Sequence, residues 1–184
     1  MNQSSSSLSE SKQSKRLFFA LWPDEKVVQA IQQQAMPYFT GCKGNILKPS
    51  NWHITLAYFG ASDAVMQACL EAQALKVKST PFEVTLSLCG YWPKPKVAWL
   101  APAVIPEPLK QLAFDLQHAI QVCGYTPETR DYLPHVSLVR KAKQAPAKMR
   151  TQAIPWQVNQ FCLVESKSSA QGVEYVVLKR WDFL

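Results

Sequence analysis

Apolar residues along the chain fall into short continuous or alternating runs, which predict β-strands, with segments of helical spacing between them. The first run, residues 16–22, is apolar almost throughout and predicts a central strand. The spacing of apolar residues after Pro23 predicts a helix that ends near Gly41, and the strongest helical pattern runs from Pro106 to Gly124. Residues 158–181 predict a C-terminal hairpin.

Two of the predicted strands share a short polar pattern, a histidine followed two residues later by a hydroxyl side chain. The segments are His53-Ile54-Thr55-Leu56 and His135-Val136-Ser137-Leu138. Because side chains alternate between the two faces of a strand, each histidine faces the same way as its hydroxyl partner. The apolar residues of each segment face the opposite way, into a core. Each strand therefore presents an imidazole and a hydroxyl on a rigid surface.

The two histidine segments occupy equivalent positions in a repeated order of elements. A strand, a helix that ends at a glycine and a polar loop precede each of them. Arg16 lies 37 residues before His53, and Val97 lies 38 residues before His135. This spacing predicts two similar halves, related by a pseudo-two-fold axis, that bring both histidine–hydroxyl faces to one cleft.

Length and composition favour one globular domain. The chain has 184 residues, of which 47% are hydrophobic, enough for one well-buried core. Residues 1–15 contain almost no apolar side chains and predict a disordered tail, so the folded domain is expected over residues 16–184. No signal peptide or membrane-spanning segment is evident in the sequence, and we expect a cytoplasmic protein without membrane contact.

The charge and the cysteines narrow the choice of partners and cofactors. The net charge of +7 favours an anionic partner, nucleic acid before an acidic membrane surface. Five cysteines are scattered along the chain without any Cys-x-x-Cys pair, which predicts neither a disulfide framework nor a thiolate zinc site. We expect most of them to be buried as small apolar residues. No metal site and no other cofactor is predicted.

The residue types in the two tetrads suit proton transfer at a phosphate group. An imidazole has an unperturbed pKa of about 6.5, so one histidine can accept a proton from a nucleophile while the other donates one to a leaving oxygen. The hydroxyls of Thr55 and Ser137 would donate hydrogen bonds to non-bridging phosphate oxygens. One such tetrad alone is more typical of a structural histidine. Two at matched positions favour a metal-independent displacement at phosphorus, with His53 and His135 as the catalytic pair.

The paired tetrads resemble the two signature motifs of the two-histidine (2H) phosphoesterase superfamily. Within it, the chain is most similar to the RNA 2′,3′-cyclic phosphodiesterases, also called 2′-5′ RNA ligases. The similarity extends over residues 16–184 and includes residues 16–21, residues 48–52, Arg140, residues 164–166, Gly172 and Tyr175. The resemblance implies an α+β fold of two pseudo-symmetric lobes, each a small antiparallel sheet flanked by helices, around a central cleft.

The resemblance also implies an activity. An RNA end with a 2′,3′-cyclic phosphate would be hydrolysed to a 2′-phosphomonoester without a cofactor, and the reverse reaction would be 2′-5′ RNA ligation. His53 and His135 are then the acid–base pair, with His53 favoured as the acid although the sequence leaves this assignment open. The resemblance also implies that Thr55, Ser137 and Arg140 bind the substrate, and the alternative for Arg140 is a solvated arginine beside a basic loop. RNA is the implied partner, and we expect a monomer without an obligatory protein partner.

Two positions depart from the family pattern. Ser137 stands where threonine is more usual, which keeps the hydroxyl but loses the methyl group that restricts its rotamer. Arg140 is an odd number of residues from His135 and would face away from it on a regular strand, so it needs a strand end or a bulge to reach the cleft. The candidate platforms for stacking of a base are Trp52, Tyr58, Trp92 and Trp99. Most of the four are expected to be core residues instead, since large aromatic side chains dominate the buried area.

Two other functions are compatible with the sequence. One is a 2H enzyme that acts on small cyclic nucleotides or on 2′-5′ linked oligonucleotides. The other is a non-catalytic module that binds RNA ends. The completeness of both tetrads favours an enzyme over a binding module.

Overall fold

The structure, a computed structural model, describes residues 14–127, 130–169 and 172–184, and these residues form nine strands. The strands are β1 (Lys15–Leu21), β2 (Asn45–Ile46), β3 (Ile54–Ser62), β4 (Phe82–Trp92), β5 (Val97–Pro102), β6 (Val136–Arg140), β7 (Arg150–Val158), β8 (Gln160–Ser169) and β9 (Gly172–Asp182). Within the same ranges, the α-helices are α1 (Glu25–Ala30), α2 (Ala64–Ala74) and α3 (Glu107–Ala119). Residues 1–13 of the predicted tail lie outside the described residues. Lys15, which was also assigned to the tail, is the first residue of β1.

The strands are arranged in two antiparallel halves. Their order along the sheet is β7-β4-β5-β6-β3-β1-β8-β9, and β2 pairs with β6 outside this path. The strands β6, β5, β4 and β7 form one half, and β3, β1, β8 and β9 form the other half in the corresponding order. Among the described residues, β3 and β6 pair only through Ile54 and Val136, where the halves meet. The predicted α+β fold with two pseudo-symmetric halves is confirmed.

Both halves contain the strand–helix–loop–strand unit that the sequence repeats. In the first half, the Asp24 side chain caps α1 by accepting a hydrogen bond from the Val27 amide at 2.9 Å. In the second half, α3 continues as a short 3₁₀ helix up to Gly124, whose φ of 85° favours glycine. The buried face of α3 consists of Leu109, Leu112, Ala113 and Leu116.

In the described part of the chain, no helix is long and apolar enough to cross a membrane.

The helices cover one face of the sheet, and the main core lies beneath them. A second and smaller apolar cluster lies on the opposite face of β1 and β8; it consists of Phe18, Ala20, Cys162 and Val164. β1 is therefore buried on both faces from Leu17 to Leu21, which explains why this part of the strand is apolar throughout. The smaller cluster forms the floor of the cleft beside the first histidine, since the Phe18 and His53 rings lie 4.9 Å apart.

One pair of cysteines departs from the expectation drawn from the sequence. Cys69 in α2 and Cys123, just before Gly124, form a disulfide between two helical segments. These cysteines are 54 residues apart and their spacing matches no motif, which is why the expectation of no disulfide was wrong. The other cysteines are free and buried, as expected: Cys42, Cys89 and Cys162.

Removal of this disulfide is expected to lower the free energy of unfolding by about 2–4 kcal/mol, because the bond closes a loop of 54 residues in the unfolded chain. Urea denaturation of the wild type with and without a thiol reductant measures the effect. The control is a variant with both Cys69→Ala and Cys123→Ala, whose stability the reductant should leave unchanged. Equal stability of the oxidised and reduced wild type would contradict the prediction.

Candidate active site

Both histidines lie at the point where the two halves meet. His53 and His135 directly precede Ile54 and Val136, the residues through which β3 and β6 pair. The apolar residues of both tetrads are buried in the core. The polar residues of the tetrads, on the other face, are partly buried: His53, Thr55, His135 and Ser137. The alternation read from the sequence is thus present in both strands, and the two polar faces open on one cleft.

Each imidazole is oriented by its own backbone. His53 Nδ1 lies 2.8 Å from the Asn51 carbonyl oxygen, and His135 Nδ1 lies 3.0 Å from the Leu133 carbonyl oxygen. Because a carbonyl oxygen only accepts a hydrogen bond, Nδ1 carries the proton in both rings, and Nε2 is the acceptor of the neutral imidazole. Both rings are therefore in the same tautomer, with Nε2 available for proton exchange with a ligand.

Two further hydrogen bonds hold the segments that precede the histidines. The Asn51 side-chain amide donates to the Val173 carbonyl oxygen at 2.9 Å, which ties the first segment to β9. The Tyr132 hydroxyl donates to the Thr55 carbonyl oxygen at 3.1 Å and so joins a loop of the second half to a strand of the first. Burial raises the pKa of Tyr132, which keeps this donor protonated. Sequence reasoning missed both residues, because each contact joins segments that are far apart along the chain.

Aromatic rings surround both imidazoles. Trp22 stacks on His53 with ring centroids 5.2 Å apart and an interplanar angle of 5°, and Tyr175 meets the same imidazole edge-on at 4.9 Å. Trp92 meets the His135 ring edge-on at 4.6 Å. These rings limit the access of water to the imidazoles and restrict their rotation, so the polar face of the cleft is lined by apolar walls.

The aromatic residues that were considered as stacking platforms differ in their positions. Trp52 is buried in the core with 1% of its surface exposed and cannot stack on a ligand, as expected for most of these aromatic residues. Trp92 and Trp99 pack against each other beside His135, with ring centroids 5.1 Å apart. Tyr58 is 51% exposed on β3. Tyr58 is therefore the one exposed candidate of the four, and Trp92 and Trp99 are both half-buried.

Arg140 reaches the polar face through a bulge in β6. The register between β5 and β6 shifts by one residue, so that Leu138 is an extra residue on β6. Leu138 and Val139 are both buried, and the alternation starts again after them, which puts Arg140 on the face of Ser137. The Arg140 guanidinium donates a hydrogen bond to the Tyr175 hydroxyl of the other half at 3.3 Å.

β3 has a bulge at the equivalent place. Its register with β1 shifts by one residue at Leu56, directly after Thr55. The position that corresponds to Arg140 is then Tyr58, which follows His53 at the same distance along the chain as Arg140 follows His135. The two halves therefore share a backbone pattern but differ in charge at this position, with a guanidinium on one side and a phenol on the other.

The surroundings disfavour the charged form of both imidazoles. Burial is the main reason that the pKa of His53 falls to about 4; its hydrogen bond to Asn51 opposes the change, and the charges of Arg140 and His135 add to it. Burial also lowers the pKa of His135, opposed by its hydrogen bond to Leu133 and aided by the charge of Arg140. Both imidazoles are therefore neutral near neutral pH in the free site. A phosphate anion bound between them would raise both pKa values.

The arrangement is equipped for acid–base chemistry on a phosphate diester. One face of the cleft combines two imidazoles with free Nε2 atoms, two hydroxyl donors and one guanidinium. Within the described ranges, no group of three or more His, Cys, Asp or Glu side chains is placed to hold a metal ion.

Sequence comparisons with known proteins agree on one family. The family model described as the 2′-5′ RNA ligase superfamily matches residues 21–170. The RNA 2′,3′-cyclic phosphodiesterase of Escherichia coli (strain K12) is 29% identical over 168 residues, which are 90% of this chain and 95% of that protein. A Bacillus subtilis (strain 168) protein of the same name is 32% identical over 98 residues, which are 50% of this chain and 53% of that protein.

Solved structures show the same relationship. The crystal structure of E. coli LigT complexed with 3′-AMP matches with a TM-score of 0.85 and 28% identity, and the match covers 93% of this chain and 99% of LigT. A crystal structure described as a phosphoesterase matches with a TM-score of 0.86, 28% identity and the same coverage of both chains. The family model spans most of this chain, including both tetrads. As the tetrads predicted, the chain belongs to the 2′-5′ RNA ligase superfamily.

Proposed function

We propose that this protein hydrolyses the 2′,3′-cyclic phosphate at an RNA end to a 2′-phosphomonoester, with His53 and His135 as the acid–base pair. The observation that carries the proposal is the placement of two imidazoles at equivalent positions of the two halves, in one tautomer, with each Nδ1 bonded to a backbone carbonyl oxygen. The relatives named RNA 2′,3′-cyclic phosphodiesterase support this choice of substrate.

The proposed reaction is an in-line displacement at phosphorus. One imidazole accepts a proton at Nε2 from a water molecule while the water oxygen forms a bond to phosphorus. The bond between phosphorus and the 3′ oxygen breaks, and the other imidazole, in its protonated form, donates its Nε2 proton to that oxygen. The phosphate stays on the 2′ oxygen. With the 5′-hydroxyl of a second RNA strand as the nucleophile in place of water, the same pair would form a bond from that oxygen to phosphorus while the bond to the 3′ oxygen breaks, which is 2′-5′ ligation.

Thr55, Ser137 and Arg140 are proposed to hold the phosphate oxygens. The two hydroxyls donate hydrogen bonds, and the guanidinium supplies positive charge where negative charge develops in the transition state. The phosphate anion also favours the imidazolium form, because an opposite charge nearby raises the pKa of a histidine. Substrate binding therefore helps to protonate the acid before the displacement.

The test is hydrolysis of an RNA oligonucleotide with a 2′,3′-cyclic phosphate end in the presence of EDTA. We expect turnover that EDTA leaves unchanged, and a product whose phosphate is shown by phosphorus NMR to be on the 2′ oxygen. The same oligonucleotide with a 3′-phosphate end is the control substrate and should be inert. A 3′-phosphate product, or loss of turnover with EDTA, would contradict the proposed mechanism.

The pH dependence is a second result of the same experiment. A bell-shaped kcat/KM profile reports the pKa values of the free enzyme, and both imidazole pKa values are lowered there. We therefore expect its maximum below about pH 6.5, the unperturbed pKa of histidine. The maximum of kcat should lie at a higher pH, because bound phosphate raises both pKa values. Coincident maxima above the unperturbed pKa would argue against two desolvated imidazoles.

We also propose that one chain forms the complete enzyme and acts on RNA in the cytoplasm, without an obligatory protein partner. Both histidine–hydroxyl pairs lie within one chain, so the proposed site needs no residue of a second copy. Analytical ultracentrifugation tests whether the protein is a monomer. Disulfides are rare in the cytoplasm, so the Cys69–Cys123 pair would be present there as two thiols.

A further inference from the structure

Three chain segments meet beyond the end of β6 and carry five lysines. β2 and β5 pair with β6 at Arg140 from opposite sides. The contact continues past the strand, because the Ala142 amide donates to the Lys96 carbonyl oxygen at 2.9 Å. On the other side, the Lys143 amide donates to the Cys42 carbonyl oxygen at 2.8 Å. We call this surface the lysine junction; it consists of Lys43, Lys94, Lys96, Lys141 and Lys143.

Three of these lysines have a backbone conformation that lysine rarely adopts. Lys43, Lys96 and Lys141 have φ values of 49°, 66° and 54°, and among the described residues no other residue except glycine has a positive φ. Glycine and asparagine adopt this region more readily, so backbone geometry does not explain a lysine at any of the three positions. Residues other than glycine that are held in a sparsely populated backbone conformation cluster at functional surfaces such as active sites and ligand-binding loops.

The lysine junction carries positive charge that no carboxylate of the described residues neutralises. All five lysines are exposed, and none of them forms an ion pair with a carboxylate of the described residues. The whole sequence has 13 Asp and Glu residues, yet it has none in residues 26–62, 84–106 and 132–164, which contain the five lysines and both site histidines. A surface with this charge attracts a polyanion.

The lysine junction adjoins the proposed active site on one side of the cleft. Trp92, which touches His135, starts the turn that carries Lys96. Arg140 directly precedes Lys141, and its charge lowers the pKa of both imidazoles. An RNA strand whose 3′ end lies between the two imidazoles can therefore leave the cleft across the lysines.

We infer that the lysine junction binds the sugar–phosphate backbone of an RNA strand on the 5′ side of its cyclic phosphate end. The inference rests on the proposed function and extends it, because it adds a binding surface for the nucleotides that precede the reactive end. A cyclic mononucleotide lacks the phosphates that reach the lysines. Contacts that are the same in the ground state and the transition state lower KM and leave kcat unchanged, and the junction contacts are of this kind.

The experiment compares cyclic-phosphate substrates of one, two, four and eight nucleotides. For the wild type, KM is expected to fall by at least about tenfold from the mononucleotide to the octamer, at similar kcat. A triple variant with Lys43→Asn, Lys96→Asn and Lys141→Asn should raise the octamer KM by about tenfold and leave the mononucleotide KM unchanged. The slope of log KM against log salt for the octamer should decrease by about 2, since each contact to a single-stranded phosphate contributes about 0.7.

A matched control removes the same charge from the helical side of the protein. The control variant combines Lys76→Gln, Lys78→Gln and Lys110→Gln, and it should leave every KM unchanged. Because asparagine tolerates the left-handed conformation, the melting temperature of the junction variant should equal or exceed that of the wild type. A lower melting temperature with an unchanged octamer KM would assign the lysines a structural role and overturn the inference.

Binding of an octamer that ends in a 2′-phosphate, measured by fluorescence anisotropy, tests the junction without turnover. About tenfold weaker binding by the junction variant supports the inference even where no hydrolysis is detected, and then the proposed function alone fails. Equal binding by the two proteins overturns the inference and leaves the proposed function intact. Octamer and mononucleotide KM values that rise together in the junction variant also overturn it.

Discussion

Replacement of His53 or His135 by alanine is expected to lower kcat/KM by about 10²- to 10⁴-fold, because in the proposed reaction each imidazole transfers a proton in the same displacement. The double variant should be hardly slower than either single variant, since the two residues act as a unit. The measurement is the initial rate on an octamer with a 2′,3′-cyclic phosphate end.

The third histidine of the chain is the matched control. His118 is exposed on α3, where its ring stacks on Phe114 with centroids 6.0 Å apart. His118→Ala should keep full activity, and the circular dichroism spectra of all three variants should match that of the wild type. Turnover that survives His53→Ala or His135→Ala at the wild-type rate would exclude the two-imidazole mechanism.

The pH profiles of the residual activity assign the two roles. A base must be neutral to accept a proton, so its loss removes the rise of the rate with pH at the acidic side. An acid must be protonated, so its loss removes the fall of the rate at the alkaline side. With His53 as the acid, His53→Ala should keep the acidic limb and lose the alkaline limb, and the opposite result would exchange the two assignments.

Replacement of Arg140 by methionine is expected to lower kcat by about 10²- to 10³-fold, the usual cost of losing one group that stabilises transition-state charge. The same change should move the kcat/KM profile to higher pH. The positive charge of Arg140 lowers the pKa of both imidazoles, so its removal raises both values and shifts both limbs in the same direction. Initial rates across the pH range measure the two effects together.

Two variants separate the charge of Arg140 from its geometry. Arg140→Lys keeps the charge, so its pH profile should stay in place, while kcat still falls because an ammonium group lacks the planar fork of donors. Arg150→Met removes an exposed arginine from β7 and should change neither quantity. If Arg140→Met raised only KM, with an unmoved pH profile, Arg140 would be a distant surface charge without a role in the displacement.

Much of the site could be predicted because it depends on alternation along two strands. Ile54 and Val136 are buried while His53 and His135 face the cleft, as period-two patterning requires. The near-equal distances from the first strand of each unit to its histidine predicted the pseudo-symmetry that the strand order confirms. The helix before Gly124 followed from its regular apolar stripe.

Features that depend on contacts between distant segments could not be read from the sequence. The Cys69–Cys123 disulfide joins helices that only the tertiary fold brings together. Trp22 was missed because the run before it is apolar on both faces of β1, so the pattern did not distinguish the cleft face from the core face. The bulge at Leu138 has a local signal, since Leu138 and Val139 are consecutive apolar residues, but its register needs the partner strand.

The difference between Arg140 and Tyr58 at equivalent bulges bears on regiochemistry. Two matched histidine–hydroxyl pairs around one cleft would accept a five-membered cyclic phosphate in two orientations, with either ester oxygen towards a given imidazole. A guanidinium on one side makes the two orientations unequal in energy. In the proposed reaction, divergence at this position of a duplicated framework would therefore favour the breaking of one ester bond, and so a single product from the pseudo-symmetric cleft.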